Sequence, residues 1–225
     1  MIDPTTVEYL LRMGIQPWVP REPPAVGAPA SWVSDADTGL ADLGGLEQIV
    51  SACTNCALHK TRTRTVFGVG TTAAQWMLVG EAPGAEEDRQ GLPFVGRAGQ
   101  LLSAMLFAVR LTRDDVYIAN VLKCRPPENR DPMGEEVMRC ESYLHRQVEL
   151  VRPKIIVALG RFAAQSLLKT NRPIGKLRGE RFVYGDTGIP LIVTYHPAYL
   201  LRSPSEKKKT WQDLQLAQEI FAESS

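Results

Sequence analysis

The sequence has few of the residues that build disulfide scaffolds or membrane spans. Only four cysteines and three histidines occur among 225 residues, and aromatic residues make up 7% of the chain. No apolar run approaches the roughly 18 residues of a membrane helix. An acidic residue, Asp3, stands where a signal peptide needs positive charge. We therefore expect a cytoplasmic protein without a membrane attachment.

The chain also lacks an excess of either charge. Lys and Arg number 26 and Asp and Glu number 25, so the formal net charge is +1. Any nucleic-acid partner would therefore need basic residues concentrated on one face, because the overall charge supplies almost no attraction to phosphates. Hydrophobic residues (44%) and charged residues (23%) are near the average of soluble globular proteins. This composition argues against both a disordered chain and a membrane protein.

The N-terminal part of the chain differs in composition from the rest. Residues 19–45 are rich in Pro, Ala, Gly and Asp without sustained periodicity, which predicts a linker. The helix predicted before it is too short to be stable alone, so it either packs on its own domain or serves as a docking peptide. The stretch LLRMGIQPWVPREP resembles the segment by which the psi subunit of the bacterial polymerase III clamp loader holds its chi partner. We therefore predict a short helix and linker over 1–45, which could dock a replication-associated protein, and one folded domain over 46–225.

From residue 46 onward, apolar runs alternate with segments of helical periodicity. Runs without polar alternation indicate strands buried on both faces, and hence a mostly parallel sheet between layers of helices. We predict strands at 76–80, 116–122, 154–160 and 190–196, and helices near 97–110, 134–151, 160–169 and 207–222. The acidic stretch after Gly84 predicts the first turn of another helix, because carboxylates suit that end of the helix dipole.

All four cysteines fall into two groups. Cys53 and Cys56 form a Cys-x-x-Cys turn, Cys124 follows the second predicted strand, and Cys140 lies in the next predicted helix. This pattern favours a four-thiolate metal site over four unrelated buried thiols. The spacing does not separate a tetrahedral zinc ion from a [4Fe–4S] cluster, since both accept four cysteines. Either group would tie the segment before the first strand to the loop after the second, which is a structural role.

Polar and aromatic side chains follow the ends of three predicted strands. They are Glu81, Glu87 and Phe94 after the first, Asn120 at the end of the second, and His196 and Arg202 after the fourth. Clefts of parallel sheets lie at the carboxyl ends of the strands, so we expect these groups to converge on one ligand. An amide offers both a donor and an acceptor to a base edge. Taken singly, Asn120 could equally form a turn, His196 a structural contact and Phe94 part of the core.

Three stretches carry a family resemblance. They are GEAPGAEEDRQGLPFVGRAGQLL, YIANVLKCRPPENRDP and HPAYLLR. With the four cysteines, they resemble the family-4 uracil-DNA glycosylases over about residues 50–222. The resemblance implies a three-layer α/β/α sandwich with a mainly four-stranded parallel sheet, and a structural [4Fe–4S] cluster on the four cysteines. It also implies removal of uracil from DNA, the first step of base excision repair. We expect the protein to be a monomer that acts in the bacterial cytoplasm at the nucleoid.

The resemblance implies roles in recognition of the base. His196 donates to uracil O2 as negative charge develops there, and backbone N–H groups around Glu81 and Ala82 help at the same oxygen. Asn120 pairs with N3–H and O4, and Phe94 stacks beneath the ring. These roles amount to a binding pocket for one flipped-out uracil.

Roles in water activation and DNA binding follow from the same resemblance. Glu87 fills the space beside C5 and excludes the thymine methyl group, while either Glu81 or Glu87 orients the attacking water. Other members of the superfamily carry Gln-Asp where this chain has Glu81-Ala82, so the usual partner of the water is replaced. The residues predicted to contact single- or double-stranded DNA are Leu200, as the wedge that fills the gap left by the base, and Arg125, Arg130 and Arg202, as phosphate contacts.

Three rival functions stay open on the sequence. A damage sensor or covalent trap could use the same pocket, although trapping relatives use a His after the first motif and none occurs here between His59 and His145. A nucleoside hydrolase of similar architecture would act on free deoxyuridine. In a zinc-stabilised structural protein, the cleft would have no function.

Overall fold

The computed structural model describes residues 42–223, which contain seven α-helices and six β-strands. The helices are α1 (Leu43–Ala52), α2 (Ala85–Gln90), α3 (Arg97–Ala108), α4 (Gly134–Val151), α5 (Arg161–Leu168), α6 (Pro197–Arg202) and α7 (Lys207–Glu223). The strands are β1 (Val69–Gly70), β2 (Trp76–Gly80), β3 (Val116–Asn120), β4 (Ile155–Leu159), β5 (Arg181–Val183) and β6 (Pro190–Thr194). The predicted N-terminal helix and most of the predicted linker lie outside the described residues, and α1 begins slightly before the predicted boundary at residue 46.

The six strands form one mixed sheet in the order β1-β3-β2-β4-β6-β5. The four central strands are parallel to one another, and β1 and β5 pair antiparallel at the two edges. The mainly four-stranded parallel sheet is therefore confirmed. The two edge strands were not predicted, because they are only two and three residues long and include exposed residues. Such strands carry no apolar run.

The central strands are buried along their whole length because helices cover both faces of the sheet. Alternate residues of a strand point to opposite faces, and β2 accordingly sends Met77 and Val79 into one core and Trp76 and Leu78 into another. Helices α4 and α5 supply apolar side chains to the first core, and α3, α6 and α7 supply them to the second. This confirms the predicted three-layer α/β/α sandwich.

A third apolar cluster connects α4 to the cysteine region. Leu46 and Val50 of α1 pack there with Tyr143 of α4, and all four cysteines contribute to the same cluster. Asp42 caps α1 by accepting a hydrogen bond from the backbone N–H of Gly45 at 2.8 Å. Helix α4 thus contributes to both the core on the sheet and the cluster that contains the cysteines.

The carboxyl ends of the parallel strands meet at one edge of the sheet. Gly80, which ends β2, lies in register with Asn120, which ends β3. The chain after β6 reaches the same edge through His196, which caps α6. Among the described helices, none has both the length and the apolar character needed to cross a membrane.

Candidate active site

A cleft of about 460 Å³ opens at this carboxyl edge. It brings together eight of the residues singled out in the sequence: Glu81, Ala82, Glu87, Phe94, Asn120, Arg130, His196 and Arg202. Among its other lining residues, the sequence did not single out Asn129 and Tyr199. Asn129 and Tyr199 could have been found because they lie within two of the motif stretches, YIANVLKCRPPENRDP and HPAYLLR.

The Asn120 side chain lies at the bottom of the cleft and is only 2% exposed. Within residues 42–223 its amide group makes no hydrogen bond, although its backbone carbonyl accepts one. Because Asn120 lines the cleft, a ligand bound there can supply both a donor and an acceptor to this amide. Space for this side chain exists because residue 80 is glycine: a Cβ atom on Gly80 would lie 2.3 Å from the Asn120 Oδ1 atom. The amide is therefore placed to read the polar edge of a ligand.

Phe94 forms one wall of the cleft and has a left-handed backbone, with φ of 55°. Two neighbours hold this unusual conformation. The Glu87 Oε1 atom accepts hydrogen bonds from the backbone N–H groups of Val95 at 3.1 Å and Gly96 at 3.3 Å. Arg113 donates to the Phe94 carbonyl at 3.2 Å. The ring is thus a fixed surface against which a flat ligand can stack.

His196 is held as a neutral imidazole with one defined tautomer. Its pKa is lowered to about 4, mainly by burial and also by nearby Arg202, while Glu87 opposes the shift. Its Nδ1 atom accepts a hydrogen bond from the Ala198 backbone N–H at 3.1 Å, so the proton of the neutral ring is on Nε2. The ring centroid lies 5.5 Å from that of Phe94. His196 can therefore donate a hydrogen bond into the cleft without carrying a positive charge.

Glu81 has the most perturbed carboxyl group of the cleft. Its pKa is raised to about 7, mainly by burial and also by nearby Asp131, while Arg161 opposes the shift. Within the described part of the chain its carboxyl group makes no hydrogen bond. The carboxyl groups of Glu81 and Glu87 therefore differ: Glu87 is occupied by the loop that carries Phe94, whereas Glu81 is available to a water molecule.

Leu200, the predicted wedge, does not lie at the protein surface. Its side chain is 1% exposed and packs in the core between the sheet and helices α3 and α7. The next residue, Leu201, is 36% exposed. The sequence could not distinguish them, because adjacent leucines in a six-residue helix give no period that shows which one faces inward.

The three predicted phosphate-binding arginines differ in their surroundings. Arg202 is exposed and lines the cleft. The Arg125 Nε atom donates to Asn129 Oδ1 at 2.8 Å, beside the cleft. Arg130 makes a two-pronged ion pair with Glu136 of α4, at 2.9 and 2.5 Å. Arg130 therefore ties the loop after β3 to α4, and Arg202 lines the cleft without an ion pair in the described residues.

The four cysteines surround a second, smaller pocket on the far side of β3. Hydrogen-bond donors reach two of the sulfur atoms closely: Arg62 Nη1 lies 3.2 Å from Cys124 Sγ, and the backbone N–H of Lys123 lies 3.3 Å from Cys140 Sγ. Burial raises the pKa of Cys140 to about 12. Among residues 42–223, no three or more His, Cys, Asp or Glu side chains are arranged to hold a single metal ion. The donor set, four thiols with N–H donors, fits a group that binds four thiolates.

The fold and the cleft together define a class: α/β/α proteins that bind a small, flat, polar ligand at the carboxyl edge of the sheet. The family model of the Uracil DNA glycosylase superfamily matches residues 67–215. A type-4 uracil-DNA glycosylase of Archaeoglobus fulgidus is 44% identical over 187 residues, which cover 80% of this chain and 94% of the relative. One of Thermotoga maritima is 45% identical over 159 residues, 70% of this chain and 82% of the relative. This chain belongs to the uracil-DNA glycosylase superfamily and, within it, to the type-4 family.

Proposed function

We propose that this protein removes uracil from DNA by hydrolysing its N-glycosidic bond, which leaves an abasic site and begins base excision repair. The observation that carries the proposal is the buried, unpartnered Asn120 amide, which faces the same cleft as a neutral imidazole and a fixed aromatic ring. Membership of the type-4 family supports the same reaction.

Asn120 selects the base. Uracil presents an N3–H donor beside an O4 acceptor, and one amide can satisfy both. Cytosine presents an acceptor and a donor in the reverse order, so the amide would be left unpaired and cytosine would be rejected. Phe94 stacks against the ring, and Glu87 fixes Phe94 while filling the space beside C5, where thymine has a methyl group.

His196 stabilises the leaving group. Cleavage of the bond between C1′ and N1 leaves an electron-poor sugar and a uracil anion, whose charge lies partly on O2. A neutral Nε2–H donates to this oxygen as the charge develops, and backbone N–H groups beside Ala82 act at the same place. The N–glycosidic electron pair departs with uracil, and water then adds to C1′ and loses a proton.

Glu81 orients the attacking water. The type-4 chain has Ala82 where other superfamily members have the water-binding Asp, and Glu81 is the cleft carboxyl group without another partner in the described residues. A carboxyl group with a pKa of about 7 is half ionised near neutral pH and can accept the proton of the water.

Replacing Glu81 with glutamine is expected to remove the rise of activity with pH. Wild-type excision should increase through about pH 7 as Glu81 ionises, whereas the variant should be ~10²-fold slower above that pH and almost independent of it. Single-turnover rates across the pH range measure this. If the variant keeps the wild-type pH profile, a group other than Glu81 orients the attacking water.

The same variant is expected to be more stable than the wild type at alkaline pH. The folded state holds the Glu81 proton more tightly than the unfolded chain does, so the stability from this group is full at acidic pH and is lost as the pH rises through about 7. Thermal unfolding should therefore show a Tm advantage of Glu81→Gln that grows with pH. Loss of activity together with gain of stability separates a functional role from a folding defect.

DNA contacts come from the rim of the cleft. Extruding a base costs a few kcal/mol, and we assign Leu201, in place of Leu200, as the apolar side chain that fills the gap. Arg202 and Arg125 supply phosphate contacts beside it. Because these contacts are local, a chain with a net charge of +1 can still bind DNA through one face.

The four cysteines bind a structural [4Fe–4S] cluster in this proposal. Bound there, the cluster would cross-link the turn after α1, the loop after β3 and helix α4 through Cys53, Cys56, Cys124 and Cys140. Arg62 and the Lys123 backbone N–H would stabilise the thiolates by hydrogen bonds to sulfur.

The cellular setting follows from the substrate. We place the protein in the cytoplasm with the bacterial nucleoid and expect it to act as a monomer. Residues 1–41 are proposed to dock a replication-associated protein, on the resemblance of their sequence alone.

The decisive test of the function uses matched oligonucleotides that carry one uracil or one thymine. After incubation with the protein, alkali should cleave the uracil strand only, because a glycosylase without lyase activity leaves an alkali-labile abasic site. Free deoxyuridine serves as the control for a nucleoside hydrolase. DNA binding without any cleavage would contradict the proposal and favour a damage sensor.

A further inference from the structure

The pairing between the edge strand β1 and strand β3 ends before the substrate-reading residue. β1 pairs with β3 only at Ile118 and Tyr117, whereas Asn120 ends the strand. The opposite side of β3 is held by β2, since Val121 donates its backbone N–H to the Gly80 carbonyl at 3.0 Å. A buried carbonyl group that has no neighbouring strand to pair with must accept a hydrogen bond from another donor. The backbone of Asn120 therefore needs support on its β1 side that the sheet does not supply.

Two buried side chains provide that support. Lys123 is 1% exposed, and its Nζ atom donates to the Asn120 carbonyl at 2.8 Å and to Gln147 Oε1 at 2.6 Å. Gln147, which is fully buried on α4, donates in turn to the Phe67 carbonyl at 2.9 Å and to the Tyr117 hydroxyl at 3.0 Å. The pair thus replaces strand pairing where β1 has stopped.

Lys123 also joins the cleft to the cysteine pocket. Its backbone N–H donates to Cys140 Sγ at 3.3 Å, and the next residue is Cys124. No carboxylate contacts its ammonium group within the described residues. One residue consequently contacts both the backbone of Asn120 and a cysteine.

We propose that Lys123 is a positioning residue that, braced by Gln147, fixes the backbone of Asn120 so that its amide meets the uracil edge. This inference rests on the proposed function and adds to it a buried support for base selection. A lysine is suited to the task because its ammonium group has several donors and can satisfy two acceptors at once. Hydrogen bonds that involve a charged group are also the stronger ones.

A double-mutant cycle with Asn120 tests the proposal. Lys123→Met keeps the apolar stem and removes the donors, and it should lower kcat/KM for uracil DNA by ~10- to 100-fold. In an Asn120→Ala background the same change should cost less than ~3-fold, because the group that Lys123 positions is already gone. Gln147→Met should give a smaller loss that vanishes in the same background. Equal losses in both backgrounds would overturn the proposal.

Two measurements without catalysis accompany the cycle. Iron content and binding to abasic-site DNA should match the wild type in Lys123→Met, because neither requires a base to be read. The side-chain amide resonances of Asn120 in the free protein should shift, whereas Lys176→Met, which changes an exposed lysine, should leave them in place. Unshifted resonances would overturn the inference even in a protein without activity. A wild-type protein that cleaves no uracil DNA would instead overturn the proposed function.

Discussion

Replacing His196 with alanine is expected to slow uracil excision by ~10²- to 10³-fold while leaving the affinity for uracil-containing DNA almost unchanged. The imidazole lies in the cleft and donates to an oxygen that becomes strongly negative only as the glycosidic bond breaks, so its loss acts on the transition state. Single-turnover excision and a DNA-binding titration with the same oligonucleotide separate the two effects. Equal losses in rate and affinity would contradict this role.

The matched control is His145→Ala. His145 lies on α4, where it pairs with Glu149 at 3.1 Å and does not line the cleft. Its replacement should leave excision within ~2-fold of the wild type, as is usual for a surface side chain. His196→Gln, which retains an N–H donor on a side chain of similar reach, should recover part of the activity that the alanine variant loses.

The charge state of His196 gives an independent check. Since burial lowers its pKa to about 4, the imidazole should stay neutral at every pH at which the enzyme works. Its ring resonances should therefore not titrate near neutral pH, and the rise of activity near pH 7 should persist in His196→Gln, because that rise belongs to Glu81. A ring that titrates near its ordinary value would contradict the buried environment that lowers the pKa of His196.

Much of the fold could be predicted because the central strands have no polar alternation. β2, β3, β4 and β6 are each buried from end to end, and a continuous apolar run is the sequence signal of such a strand. β1 and β5 lie at the edges and were missed, because their pairing depends on the neighbouring strand rather than on their own sequence. The prediction succeeded for the strands that are buried on both faces and failed for the two edge strands.

The convergence of side chains in the cleft was also predictable, since parallel strands end at one edge of the sheet. The sequence does not show which of these residues contact one another at that edge. The orientation of one short helix decides that Leu200 is buried and Leu201 exposed, and Arg130 pairs with Glu136 of a helix that follows the loop. Lys123 carried a signal, its place between Asn120 and Cys124, but its contacts depend on Gln147 from α4. These contacts follow from packing between elements that are distant in sequence.

Replacing Gly80 with alanine is expected to abolish most uracil excision while the protein still folds. The backbone of Gly80 is not left-handed, so alanine can adopt it. The added Cβ would lie 2.3 Å from Asn120 Oδ1 and 2.7 Å from Phe94 Cζ, however, well inside contact distance. Both side chains that read the base must then move. A displacement of about 1 Å in such a site can lower the rate by ~10²-fold.

The structure offers a matched control for this glycine. A Cβ on Gly175 would meet no atom within 4 Å, so Gly175→Ala should behave as the wild type. Single-turnover rates, Tm and iron content are measured for both variants. The expected pattern is a large loss of rate for Gly80→Ala, with iron content unchanged and a Tm lower by only a few degrees.

Combining the substitution with Asn120→Ala shows whether the clash acts through the amide. If Gly80→Ala works by displacing Asn120, it should cost much less in a chain that already lacks the amide, apart from the part that comes from Phe94. If the two losses of activity are fully additive, Gly80→Ala does not act through Asn120, because the effects of independent substitutions add and those of residues in contact do not. A Gly80→Ala protein with wild-type activity would contradict the cleft geometry itself, because no uracil-reading amide could then occupy the position that the sheet gives Asn120.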